Sequence, residues 1–279
     1  MADDSPIAAP GAVRSVTSLS NPTIKEIRSL ALPKYRKESG LFVTEGMKLV
    51  ADAVEEDWPI KILVYGAKVA SHPVVRRVAV RAHARGGEVL EVSDAVLSKM
   101  TRRDNPQMVV GVFEQRLTPA ASIRPSPRGV WVALEGIKDP GNLGTIIRTV
   151  DAVGAEGVIL VGDTVDPFGI EAVRATMGSI FHVPLARLSV AEFAAWRKNW
   201  PGIVVGTHLS GQEDYREVPY DRPVLLLMGN EQSGIDDSFA ALCDHLVKIP
   251  QAGRADSLNL AIATGVMLFE IRRTELKLA

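Results

Sequence analysis

The chain has 279 residues, of which 46% are hydrophobic and 23% charged, and its formal net charge is −1. This composition is typical of a globular protein with one large or two moderate domains, and the charge argues against a protein that coats nucleic acid through overall charge. The single cysteine, Cys243, excludes an intrachain disulfide, while the absence of a long apolar run or signal peptide predicts a cytoplasmic protein without a membrane span.

The first part of the chain alternates short apolar runs with helical patterns. Residues 1–13 have no apolar periodicity and are predicted to be disordered. Predicted strands are "LFVTEG", "IKILVYG", "GEVLEVS" and "MVVGVFE". Predicted helices are "NPTIKEIRSLA", "MKLVADAVEE", "VVRRVAVRAHAR" and "SDAVLSKMT", the first with Asn21 as cap and Pro22 at the first helical position. The alternation predicts a small α/β domain over residues 14–115.

A proline-rich stretch, "RLTPAASIRPSPR" at 116–128, reads as a partly extended linker to a second domain over 129–279. Strands of that domain are predicted at 129–136, 157–162, 180–184, 202–209, 223–230 and 245–250. Helices are predicted at 142–153, 169–178, 189–199 and 257–276. Continuous apolar runs such as "VLLLM" favour parallel strands buried on both faces, and ligands of such sheets bind beyond the carboxyl ends of the strands.

Charge is divided unevenly between the two domains. Residues 21–116 carry 16 Lys and Arg against 12 Asp and Glu, a balance of +4, whereas residues 129–279 carry 13 against 19, a balance of −6. A polyanion would therefore land more readily on the first domain, although ordinary solvated charge explains the counts about equally well.

Polar residues follow three of the predicted buried strands. In "EGIKDPGNLGTIIRTVDAVG", Asn142 is a plausible helix N-cap. The residues spaced to form one packing stripe are Leu143, Ile146, Ile147, Val150 and Gly154. Arg148 lies on the opposite face of that helix, where periodicity alone predicts an exposed side chain. The two glycines match neither a dinucleotide-binding pattern nor a P-loop.

The second and third loops offer further polar groups. "MGNEQSGI" places Glu231 just beyond an apolar strand, and an ordinary turn with a solvated carboxylate is the alternative interpretation. In "KIPQAGRADSLNLAIATGVMLFEIRR", Ser257 could cap a long apolar helix, and Asn259 would then lie within its first turn. Each loop alone is weak support, but three loops at strand ends together indicate a site.

The three segments together resemble motifs of the SpoU (TrmH-like) family of RNA ribose 2′-O-methyltransferases, in the SPOUT superfamily. The motifs are "NLGTIIRTVDAVG", "LLLMGNEQSGI" and "IPQAGRADSLNLAIATGVMLFE", in the family's order. The first domain also resembles the family's substrate-binding module, through "SLSNPTIKEIRSLALPKYRKESGLFVTEG". One departure is Gln232, where the family commonly has Gly.

The resemblance implies an α/β protein with a small N-terminal substrate-binding domain and a C-terminal domain that has a mostly parallel sheet and a deep C-terminal trefoil knot. It also implies S-adenosylmethionine as methyl donor and a homodimer formed through the catalytic domain. The implied catalytic residues are Asn142, Arg148, Glu231, Ser257 and Asn259. The donor is expected near Thr207, Gly229, Ile249 and Leu258.

Methyl transfer to a ribose hydroxyl requires alignment of the two groups, removal of a proton and exclusion of water. The methyl donor is already activated, so no metal is needed. The family treats Arg148 as catalytic, yet a guanidinium normally stays protonated, which makes a role as proton acceptor awkward. Binding the adjacent phosphate and stabilising the developing alkoxide is the slightly favoured alternative.

RNA contact is expected in the first domain, where basic residues flank a possible stacking ring, Tyr35. The candidate residues are Lys25, Arg28, Lys34, Arg36 and Lys37, although each could equally be a solvated charge. The resemblance therefore implies methylation of structured RNA, either ribosomal or transfer RNA, with ribosomal RNA favoured. The alternative is a non-catalytic RNA-binding or ribosome-assembly protein on the same fold.

Overall fold

A computed structural model describes residues 13–101, 107–208, 211–230, 234–254 and 256–278. The chain forms two compact units, Met1–Gln115 with Phe168–Arg174, and Arg116–Pro167 with Ala175–Ala279. The predicted disordered tail lies outside the described residues except for residue 13, so its state stays a prediction. No described helix has both the length and the apolar character that crossing a membrane requires.

The first unit is a mixed α/β layer structure. Its elements are β1 (Arg14–Val16), α1 (Pro22–Ser29), α2 (Pro33–Ser39), β2 (Leu41–Glu45), α3 (Met47–Glu55), β3 (Ile60–Gly66), α4 (Pro73–Ala84), β4 (Glu88–Val92), α5 (Asp94–Thr101) and β5 (Val109–Glu114). The described strands form one sheet in the order β1-β4-β3-β5-β2. Strand β5 runs antiparallel to both neighbours, while β1, β4 and β3 pair in parallel.

Helices cover both faces of this sheet. On one face, α1 and α5 pack into a core that includes Ile24, Leu97 and Val110. The other face carries α3 and α4, which contact each other. A Cβ built on Gly111, which alternates with Val110 along β5, would lie 3.3 Å from Val50 of α3. The basic residues of α1 and those of α4 therefore lie on opposite sides of one sheet.

Several predictions for this unit are confirmed and two elements are new. The four strands and four helices lie where their patterns placed them, and the Asn21 side chain caps α1 by accepting from the backbone N–H groups of Thr23 and Ile24. Strand β1 and helix α2 had not been predicted. The second is short and begins at Pro33 without a side-chain cap, so its sequence gives little helical signal.

A short segment from the middle of the sequence also belongs to the first unit. Within Phe168–Arg174, the ring of Phe168 lies 5.0 Å from that of Phe42. Arg174 Nη2 donates to Glu45 Oε2 at 2.8 Å, and that carboxylate is buried. The pairing of a buried charge explains why the segment is held here.

The second unit is built on a parallel sheet. Its elements are β6 (Val130–Glu135), α6 (Pro140–Ala152), β7 (Gly157–Val161), α7 (Ile170–Thr176, begun in the first unit), β8 (Leu185–Leu188), α8 (Val190–Arg197), β9 (Ile203–Thr207), β10 (Glu213–Asp214), β11 (Val224–Met228), α9 (Asp237–Ala240), β12 (His245–Lys248) and α10 (Leu260–Ile271). The described strands have the order β10-β12-β9-β11-β6-β7-β8, and each neighbouring pair is parallel. Every residue of β11 is buried, as its apolar run predicts.

One strand of the second unit lies at a different position from the one predicted. The strand expected at 180–184 is wrong: Ser179–Phe181 form a 3₁₀ turn, and the strand is Leu185–Leu188. Ile180 and Phe181 are buried without being extended, and apolar runs alone cannot distinguish these states. Neither β10 nor α9 had been predicted, since both are very short.

The stretch predicted as a linker packs on the second unit. Thr118 N donates to the Leu185 carbonyl at 2.7 Å, and Trp196 Nε1 donates to the Ala120 carbonyl at 3.0 Å. Ile123 is buried in the same core. These contacts hold the stretch against the second unit, where a partly extended linker had been predicted.

Candidate active site

The carboxyl ends of four neighbouring parallel strands place the predicted residues at one edge of the second unit. Strands β12, β9, β11 and β6 are adjacent in that order and run in the same direction. Thr207 ends β9, Gly229 follows β11, and Ile249 follows β12. The loops beyond these strands therefore share one edge, which is where such sheets bind ligands.

The first loop corrects the predicted cap of α6. Asp139 is the N-cap, because its side-chain Oδ1 accepts from Asn142 N at 2.7 Å, and Pro140 is the first helical residue. Asn142 is thus within the first turn, and its side chain is released from the capping role assigned to it. Pro at the first helical position after an Asp cap is a favourable combination that explains the earlier start.

The third loop corrects a second cap. Asn259, not Ser257, is the N-cap of α10, and its Oδ1 accepts from the backbone N–H groups of Ala261 and Ile262 at 2.9 and 3.2 Å. The helix therefore begins at Leu260 and is shorter than predicted. Ser257 is exposed in the turn before it. Capping occupies the amide oxygen of Asn259 and leaves its Nδ2 group to point elsewhere.

Asn142 and Asn259 meet across the site. Asn259 Nδ2 donates to Asn142 Oδ1 at 3.0 Å, which joins residues 117 positions apart in the sequence. Helices α6 and α10 pack against each other, and a Cβ built on Gly265 of α10 would lie 3.9 Å from Thr149 Cγ2 of α6. The hydrogen bond fixes both side-chain amides, so the two are held before any ligand arrives.

Arg148 lies six residues beyond Asn142, about 9 Å along the helix axis. Its exposure was predicted and is confirmed, and the stripe opposite it is buried through Leu143, Ile146, Ile147 and Val150. Gly154 was wrongly placed in that stripe, since it is exposed and follows the helix with a φ of 64°. Within the described ranges, the Arg148 guanidinium has no hydrogen-bond or ion-pair partner, so it is available to an anionic ligand.

The loop after β11 folds back tightly on itself. A Cβ on Gly229 would lie 1.9 Å from the carbonyl carbon of Gly234, and Gly234 has a φ of 67°. Gly234 N also donates to the Asn230 carbonyl at 3.1 Å. No larger residue fits at Gly229 without moving this backbone. Glu231 and Gln232 lie outside the described residues.

The remaining residues expected near the donor differ in exposure. Thr207 is half-buried and its Oγ1 lies 3.4 Å from Met228 Sδ, across the β9–β11 pair. Ile249 is also half-buried, whereas Leu258 is 36% exposed. Thr207 and Ile249 therefore supply part-apolar surface and backbone groups at the strand ends, which suits the edge of a nucleoside.

One carboxylate of this edge, Glu135, had not been singled out from the sequence. It ends β6 and is half-buried, and burial raises the pKa of its carboxyl, with a further rise from the charge of Asp236. A hydrogen bond with the Asn230 side chain partly offsets the rise in pKa. The signal was present, because Glu135 follows an apolar strand just as Glu231 does.

No group of three or more metal-ligating side chains occurs in the part of the chain that the structure describes. What the site offers is a pair of joined amides, a free guanidinium and backbone groups at strand ends. Such an arrangement can orient a hydroxyl and stabilise negative charge on an oxygen.

Comparison with known proteins gives the same interpretation for both units. The SpoU rRNA Methylase family matches residues 129–269, and the MRM3-like substrate binding domain matches residues 21–111. The structure of an AdoMet-bound rRNA methyltransferase from Sinorhizobium meliloti is 55% identical, with a TM-score of 0.90, and the match covers 95% of this chain and 99% of that one.

Two characterised relatives extend over most of the chain. A 23S rRNA (uridine(2479)-2′-O)-methyltransferase of Streptomyces viridochromogenes is 32% identical, over 85% of this chain and 84% of its own. The 23S rRNA (guanosine(2553)-2′-O)-methyltransferase RlmP of Bacillus subtilis is 28% identical, over 93% of this chain and all of its own. The resemblance seen in the motifs is confirmed, and the chain belongs to the SpoU rRNA methylase family.

Proposed function

We propose that this protein transfers a methyl group from S-adenosylmethionine to a ribose 2′-hydroxyl of ribosomal RNA. The observation that carries the proposal is the 3.0 Å hydrogen bond between Asn142 and Asn259, since Asn142 lies on the same helix as Arg148, whose guanidinium has no partner among the described residues. Three loops that looked separate in sequence thus contribute to one edge of a parallel sheet. The alternative of a non-catalytic RNA-binding protein would not require these side chains to be held together.

The residues at the strand ends fit S-adenosylmethionine. The glycine loop after β11 permits close backbone approach, and Thr207 and Ile249, at the ends of the next two strands along the sheet, offer half-buried surface beside it. An adenine needs an apolar slot with backbone hydrogen-bond partners, and loops of this kind supply both. When bound, the cofactor supplies a methyl group that is already activated for transfer. Leu258, in the exposed turn that precedes α10, would cover an outer edge of the slot.

Arg148 acts on the RNA. Its guanidinium binds a phosphate beside the target ribose as a bidentate fork and stabilises the alkoxide that develops at the 2′-oxygen. The joined amides of Asn142 and Asn259 orient the ribose, because their hydrogen bond leaves each with a defined direction. We expect Ser257 to add a hydrogen bond in the same site, and the family motif assigns Glu231 to orienting the ribose or Arg148. A role for Arg148 as the proton acceptor is less favoured, since a guanidinium normally stays protonated.

A second copy of the chain would complete the assembly. Helix α10 exposes Ile262 and Phe269, 56% and 54% accessible, which lie seven residues apart and therefore on one side of the helix. Exposed apolar stripes of this kind mark protein interfaces. We propose that a homodimer forms through this face of the catalytic unit, and replacing Ile262 and Phe269 by Glu would yield a monomer in light scattering. A dimer that persists in this variant would exclude the face.

We also propose that the C-terminal part of the second unit forms a trefoil knot and that the protein is located in the cytoplasm. The chain passes from β12, inside the sheet, to α10, which packs on α6 and contacts β11, so distant segments are close where a knot would form. A protein that methylates ribosomal RNA would encounter this substrate in the cytoplasm during ribosome assembly.

RNA binding by the first unit is supported by exposed cations on α1 and α2. Lys25, Arg28, Lys34 and Lys37 are exposed, and Lys34 lies 5.9 Å from the centroid of the exposed Tyr35 ring. Arg36 is an exception, because its side chain is buried and Nη1 donates to the Leu30 carbonyl at 2.8 Å. Its role is structural, and it is removed from the RNA-binding set.

The test combines cofactor binding with methyl transfer. Calorimetry should show S-adenosylmethionine binding to the full chain, and labelled methyl groups should appear on ribose 2′-oxygens of ribosomal RNA taken from cells that lack the protein. Mapping the modified ribose in RNA from cells with and without it should reveal the same position. Absence of cofactor binding would favour the non-catalytic alternative and overturn the proposal.

A further inference from the structure

Helix α4 carries a cationic surface that the proposed RNA contacts on α1 and α2 do not include. Residues 66–87 contain Lys68, Arg76, Arg77, Arg81 and Arg85 and no Asp or Glu. The four arginines are exposed, as are His72 and His83. The apolar residues of α4 face the sheet, where Val75, Val78, Ala79 and Ala82 are buried. The solvent-facing half of the helix is therefore lined by basic side chains.

The three arginines of α4 and its C-cap, Arg85, divide into two pairs. Arg77 Nη2 donates to Glu55 Oε1 at 2.8 Å, and Arg85 pairs with Asp57, both through partners near the end of α3. Arg76 and Arg81 have no hydrogen-bond or ion-pair partner among the described residues. Exposed ion pairs contribute little, so Arg77 and Arg85 could exchange their carboxylates for another anion at small cost. Arg76 and Arg81 have no carboxylate partner among the described residues and can bind an anion directly.

The chemistry of the surface fits phosphate groups better than a protein. Protein interfaces depend on buried aromatic or apolar anchors, and the exposed positions of α4 are occupied chiefly by Arg and His. A guanidinium forms paired hydrogen bonds with phosphate, and unpaired arginines on a surface are suited to that contact. Arginine and lysine contacts to the backbone supply most of the sequence-independent affinity for nucleic acid.

We propose that the α4 surface, defined by Arg76, Arg77, Arg81 and Arg85, binds phosphates of the substrate RNA. This inference rests on the proposed function, because the ligand is the RNA that the protein methylates. The α4 surface lies on the opposite side of the first unit's sheet from α1, so the two surfaces would contact different parts of a folded RNA. An extended substrate such as ribosomal RNA can reach both.

The test replaces the two unpaired arginines in the full chain. Binding of a ribosomal RNA fragment is measured for wild type and for the Arg76→Gln/Arg81→Gln variant over a range of salt concentrations. We expect roughly a fivefold or greater loss of affinity. The slope of log K against log salt should become shallower by about 1.4 to 1.8, because each phosphate that an arginine neutralises accounts for roughly 0.7 to 0.9 of the slope.

The matched control is Arg216→Gln/Arg222→Gln, which removes the same charge from exposed, locally ion-paired arginines of the second unit. It should keep the wild-type slope. Calorimetry with S-adenosylmethionine reports the folding of each variant independently of RNA. Poly-L-glutamate serves as a competitor, and competition as strong as that of unmethylated RNA would identify an acidic protein as the partner and overturn the proposal.

The outcomes separate this inference from the proposed function. If wild type methylates RNA and the α4 variant keeps the wild-type affinity and slope, the α4 surface is excluded while the function stands. If wild type neither binds the cofactor nor methylates RNA, the proposed function fails, and the inference fails with it. A loss of slope in the α4 variant alone supports the inference.

Discussion

In the second unit, Asn142 and Asn259 are joined at 3.0 Å and Gly229 has no room for a side chain, whereas in the first unit the cations of α1 are exposed side chains. Contacts thus fix the two asparagines and the glycine loop of the proposed active site, with Arg148 on the same helix as Asn142, whereas the proposed RNA affinity of the first unit depends on exposed charges. Fixed geometry makes single substitutions costly, and dispersed charge makes them mild, additive and sensitive to salt. Substitutions in the two units should therefore differ in the size and in the salt dependence of their effects.

Arg148→Lys should produce the largest loss. A lysine keeps the charge of Arg148 and loses the planar fork, so a role in holding phosphate and stabilising the alkoxide would not survive. We expect the single-turnover rate of methylation to fall about 10²- to 10³-fold, as for removal of one transition-state donor. Arg187→Lys, at another exposed arginine of the second unit, is the control and should keep the wild-type rate.

Gly229→Ala should come next. The added Cβ would lie 1.9 Å from the Gly234 carbonyl carbon, so the loop after β11 must move. Overpacking of this kind costs about 1–3 kcal/mol, which corresponds to roughly a fivefold to 150-fold weaker affinity for S-adenosylmethionine if the loop shapes its site. Calorimetry measures the change. Gly253→Ala, where a Cβ meets nothing within 4 Å, should bind normally.

Two substitutions of Asn259 distinguish its cap from its contact with Asn142. Asn259→Asp keeps the capping oxygen and loses the Nδ2 donor, so thermal stability should hold while methylation falls by about tenfold or less, as for one hydrogen bond. Asn259→Ala loses both, with about 1 kcal/mol of stability. Asn21→Ala removes the equivalent cap of α1 and should lower stability without slowing saturated methylation. Full activity in Asn259→Asp would mean that the amide contact has no function.

Lys25→Gln/Arg28→Gln should have the smallest effect. Both side chains are exposed, and removing two phosphate-binding cations from a dispersed surface should weaken RNA binding severalfold, more at low salt than at high salt. Filter binding over a salt series measures this. An effect as large as that of Arg148→Lys at saturating RNA would break the contrast between the two units.

Much of the fold could be predicted from the sequence, because buried parallel strands leave continuous apolar runs such as that of β11. The secondary-structure prediction failed at Ile180 and Phe181, which are buried without being in a strand. It also failed at α2, which is too short to show a helical period. The helix caps were misplaced by two or three residues because Asn, Asp and Ser compete for the same role, and only backbone geometry decides among them.

Less of the candidate active site than of the fold could be predicted from the sequence. Periodicity correctly predicted that Arg148 is exposed, but it could not indicate a function, which came from the family resemblance. The contact between Asn142 and Asn259 depends on the packing of α10 against α6, which no local pattern encodes. Arg36 was misjudged for the converse reason: its sequence neighbours are basic and exposed, while its own side chain turns inward to the Leu30 carbonyl.

The proposed difference between catalysis by Arg148 and RNA affinity from Lys25 and Arg28 is tested most directly by the single-turnover methylation rate. This rate is measured as a function of RNA concentration for Arg148→Lys and Lys25→Gln/Arg28→Gln, both saturated with S-adenosylmethionine. We expect excess RNA to restore the Lys25/Arg28 variant to the wild-type rate and to leave Arg148→Lys slow at every concentration. Recovery of Arg148→Lys with excess RNA would contradict a catalytic role for Arg148, because Arg148 would then contribute affinity alone.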